Sequence, residues 1–228
     1  MSNINFFRIL QSSGGEKTVT FPDQSQDTFR ITYTWTQGDG GTDLDTLTGI
    51  APGTGTEYGA GIDTDGVLNA DADNFVGFKP PGIGGETTHI GGTFASGNYF
   101  LAWAGDNVAG AGVEDVLVNQ DYMISQNSTL TEFEIQLYSR WYSSIGTGEI
   151  DIAVELWTGG TWSDEGTYFE NSGGTLQDTI SFSLNCLKGT GVGNRLDFSK
   201  PPSTTYKYMG KLVFESNGSG YISVNLTQ

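Results

Sequence analysis

The sequence has very few of the residues from which common catalytic and metal centres are built. Among its 228 residues there is one cysteine, Cys186, and one histidine, His89. A lone cysteine cannot form an intrachain disulfide, so a disulfide-stapled secreted scaffold is excluded. A single histidine leaves neither a histidine-based zinc site nor a well-supported catalytic triad. These scarcities predict a protein that is not an enzyme.

Basic residues and long apolar runs are scarce as well. Ten Lys and Arg stand against 27 Asp and Glu, for a net charge of −17. Such a field repels phosphate backbones and anionic lipid headgroups, so neither nucleic acid nor a membrane is an expected partner. No apolar run approaches the ~20 residues needed to span a bilayer. The first residues show no signal-peptide pattern, so we expect a chain made in a cytoplasm that leaves it only within an assembly or by lysis.

Glycine, in contrast, is abundant, and the apolar residues alternate. Gly makes up 34 of the 228 residues, and 12% are aromatic, which indicates a folded body rich in turns. Strict alternation in Phe133–Tyr138 and Ile150–Trp157 is typical of half-buried antiparallel strands. Turn residues in Ser143–Gly148 predict that these two strands form a hairpin.

Eight further segments have strand character, and together the pattern predicts a single all-β domain. They are Thr18–Phe21, Phe29–Trp35, Phe75–Phe78, Tyr99–Trp103, Val113–Val118, Thr179–Leu184, Tyr208–Phe214 and Tyr221–Leu226. About ten strands with Gly-rich turns predict an antiparallel β-sandwich over residues 1–228. Residues 1–27 and 159–178 are candidate peripheral or assembly segments. The second contains Trp162, Tyr168 and Phe169, which we expect to be exposed and to contact neighbouring subunits.

Two acidic segments could supply oxygen ligands to a cation. If Asp43-Leu44-Asp45 is extended, both carboxylates share one face and repel each other unless a cation lies between them. In Gly105–Asp115, small residues let the backbone approach a ligand, and four side chains carry oxygen. Calcium takes 6–8 such oxygens. The predicted calcium ligands are Asp43, Asp45, Asp106, Asn107, Glu114 and Asp115. Solvated carboxylates at strand ends and an ordinary hairpin loop are the alternative interpretation.

The order of these acidic pieces resembles the TerD family of tellurite-resistance proteins over about residues 28–158. The matching pieces are Asp43-Leu44-Asp45, Asp65-Gly66 with Asp71-Ala72-Asp73, Gly105-Asp106-Asn107, and Gly112 to Asp115. The resemblance implies a calcium-binding β-sandwich with Asp45, Asp106, Asn107 and Glu114 as ligands. The chain is also similar to modules in structural proteins of tailed phages.

These observations favour a non-enzymatic, calcium-binding structural protein of a larger assembly. A phage virion is the favoured setting, as a fibre, tail or capsid decoration made in the host cytoplasm. The expected partners are copies of this chain, in a homo-oligomer, or other virion proteins. One alternative is a soluble cytoplasmic stress-response protein of the TerD type. Another is a carbohydrate-binding module of a fibre, since Trp141, Tyr142, Trp157 and Trp162 could form a sugar platform. Such aromatics more often fill a sandwich core or a subunit interface.

Overall fold

The computed structural model describes residues 17–22, 27–35, 44–51, 75–78, 86–126, 132–141, 148–186, 207–216 and 221–227. These residues form fourteen strands, one short helix and a 3₁₀ turn at Phe94–Ser96. The strands are β1 (Lys17–Pro22), β2 (Asp27–Trp35), β3 (Leu44–Ala51), β4 (Phe75–Gly77), β5 (His89–Ile90), β6 (Leu101–Trp103), β7 (Gly112–Val118), β8 (Glu132–Trp141), β9 (Gly148–Thr158), β10 (Thr161–Asp164), β11 (Phe169–Ser172), β12 (Thr175–Cys186), β13 (Lys207–Ser216) and β14 (Tyr221–Thr227). The helix, α1, is Gln120–Gln126.

The strands form two six-stranded antiparallel sheets and one small hairpin. The first sheet has the spatial order β1-β14-β13-β8-β3-β4, and the second has the order β12-β9-β2-β7-β6-β5. Strands β10 and β11 pair only with each other. The predicted all-β antiparallel sandwich is therefore confirmed.

The core lies between the two sheets and follows from alternation along each strand. In β2 the side chains of Phe29, Ile31, Tyr33 and Trp35 are all buried, while Thr34 between the last two is exposed. Burying one large apolar side chain stabilises the fold by about 1.5–3 kcal/mol, so these inward faces supply most of the stabilisation.

Aromatic contacts join the two layers directly. The ring of Phe29 in the second sheet meets the ring of Phe214 in the first edge-on, with centroids 4.7 Å apart. Phe133 stacks on Phe214 from the neighbouring strand of the same sheet, also at 4.7 Å. The edge-to-face contact therefore spans the two sheets, and the stacked contact holds the Phe214 ring within its own sheet.

The predicted hairpin between residues 133–138 and 150–157 is wrong. Strand β8 pairs with β3 and β13, whereas β9 pairs with β2 and β12, so the two strands lie in opposite sheets. The apolar face predicted for each strand is confirmed. Ile135 and Leu137 are buried in β8, and Ile152 and Val154 are buried in β9. Strands in opposite sheets of a sandwich show the same alternation as strands that pair, and the pattern alone cannot separate the two cases.

The two edges of the sandwich differ. At one edge, Gly77 and Thr87 exchange two backbone hydrogen bonds of 3.0 and 3.1 Å next to β4. The backbone there is tight: Gly77 has φ +125°, and a Cβ on it would lie 2.2 Å from the carbonyl oxygen of Thr46. The amide of Trp103 in β6 donates to the carbonyl of Thr88, so this short connection ties the first sheet to the second. At the other edge, β1 and β12 each have one strand partner among the described residues.

The hairpin β10–β11 covers part of the outer face of the second sheet. Phe169 is 1% exposed and packs in a second apolar cluster with Tyr99, Ala102, Ala104 and Leu117. The expectation that Trp162, Tyr168 and Phe169 are all exposed is therefore wrong for Phe169. Trp162 is half-buried, and Tyr168 is 42% exposed. The segment is a packed hairpin rather than a loose loop.

Among the described residues, no helix has both the length and the apolar character needed to cross a membrane.

Candidate functional site

The side chain of Glu114, in β7, is fully buried between the two sheets. In β7 it lies on the same face as Val116 and Val118, which belong to the main core, so its side chain points inward. One carboxylate oxygen, Oε2, accepts hydrogen bonds from the hydroxyl of Thr46 in β3 and from the indole N–H of Trp103, the latter at 3.2 Å. Glu114 therefore connects β3, β6 and β7 across the interior.

The loop between β6 and β7 folds over the other oxygen of Glu114. The backbone N–H of Asn107 donates to Glu114 Oε1 at 3.1 Å. The side-chain amide of Asn107 donates to the carbonyl of Val113 and accepts from the N–H of Ala109, both at 3.1 Å. The Asn107 side chain is thus occupied in bracing its own loop, which is a structural role.

Burial sets the electrostatics of Glu114. Removal from water raises the pKa of its carboxyl group well above the usual range, and the negative charge of the neighbouring Asp106 raises it further. The hydrogen bonds from Thr46, Asn107 and Trp103 act in the opposite direction, because they stabilise the ionised form. Asp106 and Glu114 are therefore two carboxyl groups close enough to compete for ionisation.

Asp115 lies on the opposite face of β7, beneath the β10–β11 hairpin. It is 1% exposed, and its Oδ2 accepts a 3.0 Å hydrogen bond from the N–H of Phe169. Its own N–H donates to the carbonyl of Thr167 at 3.2 Å. Burial raises the pKa of Asp115, while the Phe169 N–H and the nearby Arg30 guanidinium lower it. Since neighbouring residues in a strand point to opposite faces, Glu114 and Asp115 cannot bind one ion together.

The guanidinium of Arg30 links the strands of the second sheet to the hairpin that covers its outer face. Its Nε and Nη2 donate to Oε2 of Glu155 at 2.9 and 2.6 Å, and its Nη1 donates to the carbonyl of Phe169 at 2.9 Å. Nη1 also lies 3.8 Å from Oδ2 of Asp115. The guanidinium stands 5.7 Å from the ring centroid of Trp157 and 6.0 Å from that of Trp162. One side chain therefore joins β2, β9 and the hairpin through ionic, hydrogen-bond and cation–π contacts.

The Asp43–Asp45 segment lies elsewhere. Asp45 is fully buried in β3, and Leu44 beside it belongs to the main core, as the alternation predicts. Because Thr46 points inward to Glu114, Asp45 faces the outer side of the first sheet, opposite Arg140 in the strand register. Asp43 lies outside the described residues.

The described members of the predicted six-residue calcium shell are thus divided among three places. Asp106, Asn107 and Glu114 lie together on the inner side, Asp115 lies under the hairpin, and Asp45 lies on the outer side of the other sheet. Across the part of the chain that the structure describes, no group of three or more His, Cys, Asp or Glu side chains is placed to hold a metal ion. The arrangement fits a six-ligand site poorly, and Asp106 and Glu114 are the pair that remains.

Three residues that organise the region were not predicted: Thr46, Trp103 and Arg30. A sequence signal exists for the first two, because Glu114 occupies an inward position in an apolar strand and a buried carboxylate requires buried donors. No such signal exists for Arg30. It reads as an ordinary polar residue on the solvent face of β2, and nothing in the sequence shows that a hairpin covers that face.

Two further acidic residues lie on the outer faces of the two sheets. Glu134 faces outward from the first sheet, beside Lys211, and Asp151 is exposed on the outer side of the second. His89 is exposed in β5, where its Nδ1 lies 3.0 Å from the hydroxyl of its neighbour Thr88.

Comparison with known proteins adds no relative. No family model, no curated protein and no solved structure matches this chain. The resemblance to TerD proteins and phage modules therefore stays a prediction.

Proposed function

We propose that this chain is a non-enzymatic structural subunit that joins copies of itself, or other virion proteins, in a larger assembly, for which a phage particle is the setting the sequence favours. The observation that carries the proposal is the difference between the two edges of the sandwich. One edge is closed by the backbone bridge between Gly77 and Thr87, whereas the other, among the residues that the structure describes, ends in the long strand β12.

Strand β12 has few of the features that normally protect an edge from pairing. It is 12 residues long, TLQDTISFSLNC, with no lysine and no proline, and its one charged residue is Asp178. Its one protective feature is a register shift between Leu176 and Asp178. The side chains from Thr175 to Thr179 are exposed, and Leu176 is 43% exposed. A partner strand can add to such an edge through backbone hydrogen bonds.

Lysines placed on this edge are expected to weaken self-association. We expect wild-type protein to form an oligomer in multi-angle light scattering, and the double variant Gln177→Lys/Thr179→Lys to dissociate about tenfold more readily or more. The two added positive charges make the chain less negative and would by themselves favour association. Weaker association would therefore identify the edge, not net charge, as the cause.

A matched control adds the same two charges away from the edge. Ser163→Lys/Ser172→Lys places them at exposed positions of the β10–β11 hairpin and should associate like wild type. A strictly monomeric wild-type protein at high concentration, with no binding to virion proteins, would contradict the assembly role. It would favour the soluble TerD-type protein.

Calcium binding remains a prediction from the sequence, and Asp106 and Glu114 are the pair of carboxylates to test, because their charges interact. A ligand bound by the native state alone stabilises it by RT ln(1 + [L]/Kd), about 2.7 kcal/mol at 100 times Kd. We therefore expect thermal melting in calcium to lie above melting in EDTA. Asp106→Asn should reduce the difference, whereas Asp151→Asn on the outer face of β9 should not. Coincident melting curves for the wild type would refute calcium binding.

A further inference from the structure

A cleft of about 510 Å³ opens between α1, the β9–β10 turn and the start of β2. It lies on the outer side of the second sheet, whereas the Glu114 side chain points to the inner side. Its lining includes Asn119, Asp121, Tyr122, Ser125, Gly160 and Trp162. This volume is within the range of small-molecule sites, about 300–1,000 Å³.

Two aromatic side chains in the lining are held in fixed orientations. The Trp162 ring meets the Trp157 ring edge-on at 5.6 Å, with an interplanar angle of 75°, and lies beside Arg30. On the opposite wall, the ring of Tyr122 packs against that of Phe100 at 5.6 Å. Both lining rings are half-buried, so each combines an anchored side with a partly accessible one. Trp and Tyr offer a flat apolar face together with a polar group.

The polar groups of the cleft are also fixed. Asn119 accepts from the N–H of Tyr122 and donates to the carbonyl of Gly97, both at 3.1 Å. Oδ2 of Asp121 accepts from the backbone N–H of Asp27 at 3.0 Å. Because these bonds hold an amide and a carboxylate in place beside the aromatic rings, little ordering is left for a ligand to impose.

Two glycines form the third wall of the cleft. Gly159 and Gly160 form the β9–β10 turn with φ values of +67° and +85°. The side-chain amide of Asn171 donates to the carbonyl of Gly159 at 3.2 Å, which holds the turn. A Cβ on Gly160 would lie 2.1 Å from Oδ1 of Asn171, so a side chain there is excluded. The Asn171 side chain therefore packs directly against this turn and holds its backbone in one conformation beside the cleft.

We propose that this cleft binds a neutral saccharide, of the size of a mono- or disaccharide. A sugar ring has an apolar face that fits an aromatic ring and a rim of hydroxyls that fits fixed amide and carboxylate groups, the combination that Trp162, Asn119 and Asp121 present. The one charged lining residue is Asp121, and the chain carries a net charge of −17, so anionic ligands such as phosphates are disfavoured. This binding activity is independent of the assembly role proposed above.

The test is titration of the full chain with neutral sugars, followed by tryptophan fluorescence and saturation-transfer NMR. Glucose, galactose, mannose, N-acetylglucosamine, lactose and cellobiose serve as probes, with choline as a cationic competitor. We expect at least one sugar to bind with a dissociation constant on the order of 1 mM. Trp162→Ala should weaken that binding about tenfold or more, because it removes the stacking surface.

Two further variants keep the test decisive if Trp162→Ala fails to fold. Ser125→Trp fills the cleft from an exposed position on α1 and should abolish binding with little effect on stability. Tyr168→Ala removes an exposed aromatic ring of the same hairpin segment that does not line the cleft, and it should bind like wild type. Failure of all six sugars to bind, unchanged binding in Ser125→Trp, or binding of choline in preference to the sugars would each overturn the proposal.

Discussion

Replacing Glu114 with alanine is expected to lower the free energy of unfolding by about 3–5 kcal/mol. The side chain is fully buried and accepts hydrogen bonds from Thr46, Trp103 and the Asn107 backbone. Alanine leaves these three donors without an acceptor. Those of Thr46 and Trp103 are buried, and each buried unsatisfied donor costs about 1–3 kcal/mol. Equilibrium urea unfolding in EDTA measures the loss without any contribution from bound metal.

Two companion variants show whether the hydrogen bonds are the cause. Glu114→Gln keeps one acceptor oxygen but places an amide N–H₂ where the other oxygen stood, so it should lose about 1–2 kcal/mol. Glu215→Ala removes an exposed carboxylate from β13 and should change stability by no more than about 0.5 kcal/mol. If Glu114→Ala were as stable as Glu215→Ala, the buried carboxylate would not be the organising group described above.

Replacing Arg30 with alanine is the second change with a large expected effect, again about 3–5 kcal/mol. The substitution leaves the Glu155 carboxylate, the Phe169 carbonyl and the buried Asp115 without their shared cation. It also removes the guanidinium from beside Trp157 and Trp162. The β10–β11 hairpin should therefore loosen. Tryptophan fluorescence and faster hydrogen exchange at the Phe169 amide report that loosening directly.

The chain offers a matched ion pair as a control. Lys211 and Glu134 form a salt bridge on the outer face of the first sheet, with side chains 31% and 21% exposed. Lys211→Ala should cost at most about 1 kcal/mol, because partly exposed pairs contribute little. Arg30→Lys keeps the charge but loses the forked geometry and should fall between the two. Normal hydrogen exchange at Phe169 in Arg30→Ala would show that apolar packing alone holds the hairpin.

The sequence was sufficient for the fold class because alternation reports burial directly. The apolar faces of β8 and β9 follow it residue by residue, and the Leu44 and Asp45 side chains point to opposite faces as predicted. It was insufficient for strand pairing, since β8 and β9 lie in opposite sheets instead of pairing with each other. Strand β3 was absent from the predicted strands because Asp45, Thr46 and Thr48 are buried there, and their polar character conceals a strand that is covered on both faces.

The candidate site was predictable only in part, for a related reason. Short acidic motifs show which residues carry oxygen, but the direction of each side chain depends on tertiary packing. Glu114 and Asp115 are neighbours in sequence, and one supports the interior while the other anchors the hairpin. The β10–β11 segment is rich in polar residues and glycine, so the covered face beneath it, and Arg30 with it, could not be foreseen.

The pairing of β1 with β14 has a consequence for how the protein forms. Lys17 lies opposite Leu226, and β2 pairs along its length with β9, so strands that are neighbours in space are distant along the chain. Because such distant strands must find each other before their contacts stabilise them, proteins of this topology fold in milliseconds to seconds rather than microseconds. Among the residues that the structure describes, β14 is the one strand partner of β1, so this pair cannot form until β14 has been synthesised. The first sheet is therefore completed late, after translation of the segment that closes it.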